Sequence, residues 1–116
     1  MAYISLTEPG VARGPHEHVD QADYFCFLGP SNFKVYLWDA RSWSPTYLAF
    51  QSDVVGADKH MALIVPPGVV HAYKNVGTEP GWVFNSPNRL YQGPGRRNPV
   101  DEIRHEGDAN SPFQMD

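Results

Sequence analysis

The chain has 116 residues and a formal charge of −4, and its side chains are 41% hydrophobic, 13% aromatic and only 19% charged. That length is one domain able to bury a core without disulfides, and the composition excludes a disordered segment, a coiled coil and a charged helical array. The nine basic residues form no stripe, Arg96-Arg97 being their only adjacent pair, so no nucleic-acid partner is expected.

Eleven prolines and ten glycines punctuate the whole chain, which favours many short strands over long helices. The opening Met1-Ala-Tyr-Ile-Ser-Leu-Thr-Glu8 has no basic region and no long apolar run, so no membrane partner is expected and the chain reads as cytoplasmic. Residues 2–6 form a first strand before the Pro9-Gly10 break, and the extended stretch 13–19 carries Arg13, His16 and His18. The aromatic run 22–28 ends at Gly29-Pro30, and its Cys26 reads as a buried, inert thiol. Residues 32–39 alternate, with Phe33, Val35 and Leu37 facing one way and Lys34, Tyr36 and Trp38 the other. Strands are also expected over 47–51, 61–65, 69–74 and 82–85, and only Val100–His105 has a helical look. The predicted fold class is all-β, a single antiparallel sandwich or barrel. Its parts are an N-terminal strand in 1–12, the barrel in 13–91 and a polar tail in 92–116. Gln92–Pro99 holds no regular element, and Tyr91 and Phe113 anchor the tail as it folds back.

Two residues apart on a strand, His16 and His18 project from one face. Asp23 follows five residues later, and the tight turn Pro66-Pro67-Gly68 feeds a strand whose third residue is His71. His16, His18, Asp23 and His71 make a three-imidazole, one-carboxylate set able to hold one divalent metal (zinc, iron, manganese or nickel) with a position left open. The plainer alternative is hydrogen-bonded core or surface histidines. Glu17 points to the opposite, solvated face, and His60 and His105 fit no motif. Trp38, Trp43 and Trp82 could stack on a base or sugar, but core or interface roles are commoner for such residues. Arg41 either holds a phosphate or pairs with Asp39.

The patterns His16-x-His18-x4-Asp23 with Gly29, and Pro66-x-Gly68-x2-His71-x3-Asn75, resemble the two motifs of the cupin superfamily. The resemblance implies a small antiparallel cupin jelly-roll barrel with both motifs lining one pocket. Asp23 stands where a glutamate is usual. A closer resemblance rests on Arg13-Gly14-Pro15-His16, Gln21-Ala22-Asp23, Asp39-Ala-Arg41 with Ser44-Pro45-Thr46, Val65-Pro66-Pro67-Gly68-Val69-Val70-His71, Asn88-Arg-Leu-Tyr91 and Asp108-Ala-x-x-Pro112. In that order, from about residue 13 to 113, these are similar to the dTDP-4-dehydrorhamnose 3,5-epimerase family, a cupin branch.

What this second resemblance implies is proton abstraction beside the C4 carbonyl of a nucleotide-linked keto sugar. His16 falls on the family's base and Asp108 on the carboxylate that orients it. Tyr91 falls on the acid, His71 on the histidine beside the enolate, and Arg13 on a phosphate contact. Gln21 and Arg41 are the further substrate-binding candidates. An arginine suits a diphosphate because its fork offers two parallel donors. Two substitutions stand out: Asp23 replaces the family's enolate-stabilising lysine, and His18 replaces a glutamine. A bound metal would neutralise the first, but His16 cannot be both a metal ligand and a free base.

Three functions therefore stand side by side. The first is a sugar-nucleotide epimerase that needs no cofactor. The second is a metal-dependent isomerase, cyclase or dioxygenase acting on another small molecule. The third is a binding cupin without chemistry. In each the partner is a small molecule, and a homodimer paired through edge strands is expected.

Overall fold

The computed structural model describes residues 1–116. Nine strands run β1 (Tyr3–Thr7), β2 (Ala12–Glu17), β3 (Asp23–Gly29), β4 (Asn32–Asp39), β5 (Phe50–Gly56), β6 (Met61–Val65), β7 (Val69–Asn75), β8 (Gly81–Asn85) and β9 (Ile103–Arg104). They form two antiparallel sheets, one of order β1-β8-β3-β6 and one of order β5-β4-β7-β2-β9. This is the jelly-roll arrangement that the sequence predicts. No helix is long and apolar enough to cross a membrane.

Alternation places the core. Phe25, Phe27, Phe33, Val35, Val55, Val65, Tyr73 and Val83 meet between the sheets, each two residues from the next inward position on its strand. The other face of β4 is also covered. Tyr36 and Trp38 pack with Val70, Ala72 and Phe113, and Met115 joins them from the C-terminal segment. Asp116 completes this strap, accepting hydrogen bonds from Lys34 Nζ and Tyr36 Oη at 2.6 Å each.

Two sequence expectations are corrected. The strand expected from Tyr47 begins at Phe50 instead. The Asp39 carboxylate gathers the Ser44 and Thr46 hydroxyls at 2.6 Å each, and Leu48 adopts a left-handed φ of 67°, so 41–49 is a turn-rich loop. The helical-looking Val100–His105 instead contains β9, because its backbone pairs with β2 at His16↔Arg104 and Glu17↔Ile103. Tertiary pairing overrides a short local pattern.

A bulge in β2 sets the register that matters most. Arg13 pairs with Tyr73 but His16 pairs with His71, so β2 carries one extra residue across Gly14-Pro15. Gly14 sits at φ +90°, and a Cβ there would lie 2.6 Å from the His71 carbonyl oxygen. Only glycine fits. Asn75 pins the far end of β7. Its amide donates to the Thr7 and Glu79 carbonyls and accepts from Ser31 Oγ and the Gly77 N–H, so this buried side chain is fully satisfied.

Candidate functional site

A cavity of about 750 Å³ opens between β2, β3, β8 and the segment 89–106. Arg13, His16, His18, Gln21, Asp23 and Tyr91 all line it. The two cupin-like motifs are tied together directly, since the Gly68 N–H donates to the His18 carbonyl at 2.9 Å. The bulge brings three imidazoles into one cluster. Ring centroids lie 4.9 Å apart for His16 and His71, 5.4 Å for His18 and His71, and 6.1 Å for His16 and His18.

Hydrogen bonds dictate the charge states. His18 Nδ1 faces the Asp101 carbonyl oxygen and His18 Nε2 lies 2.9 Å from Asp23 Oδ2. Both partners can only accept, so both ring nitrogens carry protons and His18 is an imidazolium. Burial disfavours that charge, but the bonds to Asp23 and Asp101 outweigh it and hold the pKa above the ordinary histidine value. Burial would also raise Asp23, yet His18 and His71 keep it well below the usual carboxylate range. Gln21 Nε2 donates to the other Asp23 oxygen at 2.8 Å. His16 has the opposite character. Burial, then the neighbouring His71 and His18 rings, push its pKa down to about 3, so it is neutral.

His71 sits beneath the cavity lining rather than in it, with only 3% of its surface exposed. Its Nδ1 donates to the Val69 carbonyl at 3.2 Å, which leaves Nε2 to face Asp23. That Nε2 is buried without a hydrogen bond, 3.4 Å from Asp23 Oδ2. His16 Nδ1 is likewise buried without a hydrogen bond.

The remaining candidates fall elsewhere. Asp108 makes no ion pair or hydrogen bond to His16; it is an exposed turn residue whose Oδ1 accepts the Asn110 N–H at 2.9 Å. The acid beside His16 is Glu102, with Oε1 3.4 Å from Nδ1. Arg41 lies outside the cavity and forms a two-pronged pair with Asp39 at 2.8 and 3.1 Å. Trp38 is buried under the tail, Trp43 is exposed beside Arg41, and Trp82 faces solvent; none lines the cavity. Cys26 is only half-buried and lies on the outer face of its sheet, not inside.

Sequence reasoning missed the tail's contribution. The Asp101 carboxylate accepts the N–H groups of Val19, Asp20 and Gln21 at 2.7–2.9 Å, closing the β2–β3 loop over His18. Arg89 and Arg104 also line the cavity. The one local signal was the acidic pair Asp101-Glu102 in a segment otherwise poor in pattern.

No family model matches the chain. Among curated proteins, a probable low-salt glycan biosynthesis epimerase of Haloferax volcanii is 36% identical over 93 residues, which is 78% of this chain and 58% of that protein. The chain thus spans little more than half the length of that relative. A solved dTDP sugar isomerase from Desulfovibrio desulfuricans superposes with a TM-score of 0.81 at 25% identity, covering 98% of this chain and 69% of that one. A dTDP-4-dehydrorhamnose 3,5-epimerase from Sulfolobus tokodaii matches with a TM-score of 0.68 at 21% identity, over 90% of this chain and 56% of its own. That last likeness is one of fold.

Proposed function

We propose, on the premise that this chain is a cupin with the fold of the dTDP-4-dehydrorhamnose 3,5-epimerases, that it is a sugar-nucleotide epimerase acting by proton abstraction beside a carbonyl. The observation that carries the reading is one cavity lined by a neutral imidazole, His16, a phenol, Tyr91, and a guanidinium without an ion pair, Arg13. The similarity to a glycan biosynthesis epimerase points to the same chemistry.

In this mechanism His16 takes the proton from the carbon next to the ketone. The C–H electron pair moves into the enolate, and Tyr91 gives a proton to the opposite face. The product is the epimer, with an imidazolium and a phenolate that reset through water. The neutral imidazole is the form of His16 that can take up a proton, and a counter-charge that raises its basicity would favour the step. Asp23, an anion where negative charge develops, is offset by the His18 imidazolium 2.9 Å away. His18 acts through space, since both its N–H groups are already engaged. Arg13 and Gln21 hold the substrate, with Arg13 matched to a phosphate.

Incubation in D2O with a 4-keto-6-deoxy sugar nucleotide tests this. Deuterium enters the sugar, and His16→Ala lowers the rate by about 10³. No exchange with any such substrate overturns the reading.

A second reading has its own support. His71 Nε2 is buried without a hydrogen bond 3.4 Å from Asp23 Oδ2, and His16, His18 and His71 offer ligand atoms within 4.8 Å of one another. With Asp23 beside them, these rings would suit a divalent zinc, iron, manganese or nickel ion held by His16, His18, Asp23 and His71 once His18 gives up its Nε2 proton. Such an ion would supply Lewis acidity at the carbonyl. His16 would then be a ligand and not a base.

The proposal includes a homodimer, through a sheet face rather than an edge. The outward side chains of the four-stranded sheet include Ile4, Leu6, Trp82, Tyr24, Leu28 and Ile64, with no charged residue among them. The chain's own tail covers the other sheet but not this one. Four strands about 4.8 Å apart and five residues long present roughly 20 by 17 Å, suited to sheet stacking at about 10 Å. A charge-free face cannot select a charged partner, whereas a second copy needs only the same face twice.

A further inference from the structure

We propose that Glu102 is the positioning carboxylate of His16, an inference that rests on the epimerase reading for its catalytic meaning. The argument begins with the buried Nδ1. A ring nitrogen sealed from water without a partner is costly. The acid beside it is Glu102, its Oε1 3.4 Å away and its side chain 19% exposed. A shift of a few tenths of an ångström makes that contact a hydrogen bond, and catalytic hydrogen bonds commonly tighten once substrate is bound.

Glu102 is held in place. Its other oxygen accepts from Arg104 Nε at 2.9 Å, and Arg104 Nη1 donates to Glu106 at 3.1 Å. The backbone is fixed as well. The β2–β9 pairing sets His16 against Arg104, the His105 N–H donates to the Pro15 carbonyl at 2.8 Å, and Asp101 next in the chain is anchored by three N–H groups. The carboxylate therefore arrives on a strand, while Asp108 sits in a solvent-exposed turn that does not line the cavity.

Glu102 does two things for His16. It keeps the ring proton on Nδ1, so the Nε2 lone pair is the one free to take a proton. It also supplies the counter-charge as the imidazolium forms, where the adjacent His18 cation and the His71 ring oppose it.

Imidazole nitrogen NMR on the whole purified chain reads the first effect without any substrate. The wild type shows His16 protonated on Nδ1, and Glu102→Gln shifts the proton toward Nε2. Deuterium exchange reads the second: Glu102→Gln lowers kcat by about 100-fold or more with KM little changed, and Glu102→Asp recovers part of it. Unchanged thermal midpoints confirm that both variants are folded. A His16 proton that moves with Asp108→Asn and not with Glu102→Gln overturns the assignment. Loss of exchange in the wild type itself counts against the epimerase reading, while the tautomer still decides for or against Glu102.

Discussion

His71 Nε2 and His18 Nε2 converge on the same oxygen of Asp23, at 3.4 and 2.9 Å. The His18 imidazolium supplies the charge that fixes this carboxylate, and Gln21 Nε2 holds its other oxygen at 2.8 Å. One carboxylate thus organises two imidazoles at the base of the site.

Metal removal separates the two functional readings. Under the epimerase reading, treatment with a strong chelator leaves deuterium incorporation within about twofold of the untreated protein. Loss of exchange on chelation, restored by zinc, iron(II), manganese or nickel and absent in Asp23→Ala, selects the metal-dependent cupin. In that case a metal at about 100 times its Kd also stabilises the fold by about 2.7 kcal/mol.

Stability should fall on the acid side earlier than carboxylates alone would dictate. The His16 pKa is about 3 in the folded chain and about 6.5 unfolded. The unfolded state therefore takes up the proton first, and stability drops as pH falls from about 6.5 toward 3. Asp23, lowered in the fold, adds stability above its unfolded value near 3.9 that fades as pH falls through the folded value. His18, raised in the fold, adds stability that is complete below about 6.5 and is lost as pH rises through its folded value. Urea unfolding at pH 7, 5.5 and 4 checks this: His16→Gln flattens the decline between 6.5 and 4. An equally steep decline in the variant places the responsible group elsewhere.

Gly14→Ala tests the bulge. The added Cβ meets the His71 carbonyl oxygen at 2.6 Å at a φ of +90°, a combination of strain and clash of about 3 kcal/mol. Urea unfolding reports that loss, and the exchange rate falls with it because the His16–His71 register depends on the bulge. A variant as stable as the parent would mean that β2 accommodates the extra atom by sliding.

Self-association is expected to depend on the outer sheet face. Trp82 and Ile64 are 50% and 68% exposed there. Sedimentation should show a dimer for the parent chain and a monomer for Ile64→Lys and Trp82→Lys, with the cavity's exchange chemistry unaltered. A monomeric parent removes the dimer.

Much of the fold was legible because alternation is local. Asn32–Asp39 and Met61–Val65 are strands with the bounds that their patterns predict. The loop at 41–49 was not legible, since its course follows from the Asp39 carboxylate collecting two hydroxyls, which periodicity does not record. Nor was the exposure of Cys26: an aromatic run reads as buried on both faces, whereas only Phe25 and Phe27 point inward.

The sequence by itself determined an all-β chain and, through the spacing of His16, His18, Asp23 and His71, a set of side chains that meet in one place. Those are matters of period and of residue type, carried over a few positions at a time. Only the tertiary structure decided which acid meets which imidazole. His18 and Asp101 are 83 positions apart in the chain, and Glu102 reaches His16 from the same distant segment. That meeting exists because the tail adds a strand beside β2. Strand pairing between remote segments depends on the closure of the whole barrel, and it also moved His71 below the cavity floor and left Asp108 outside it.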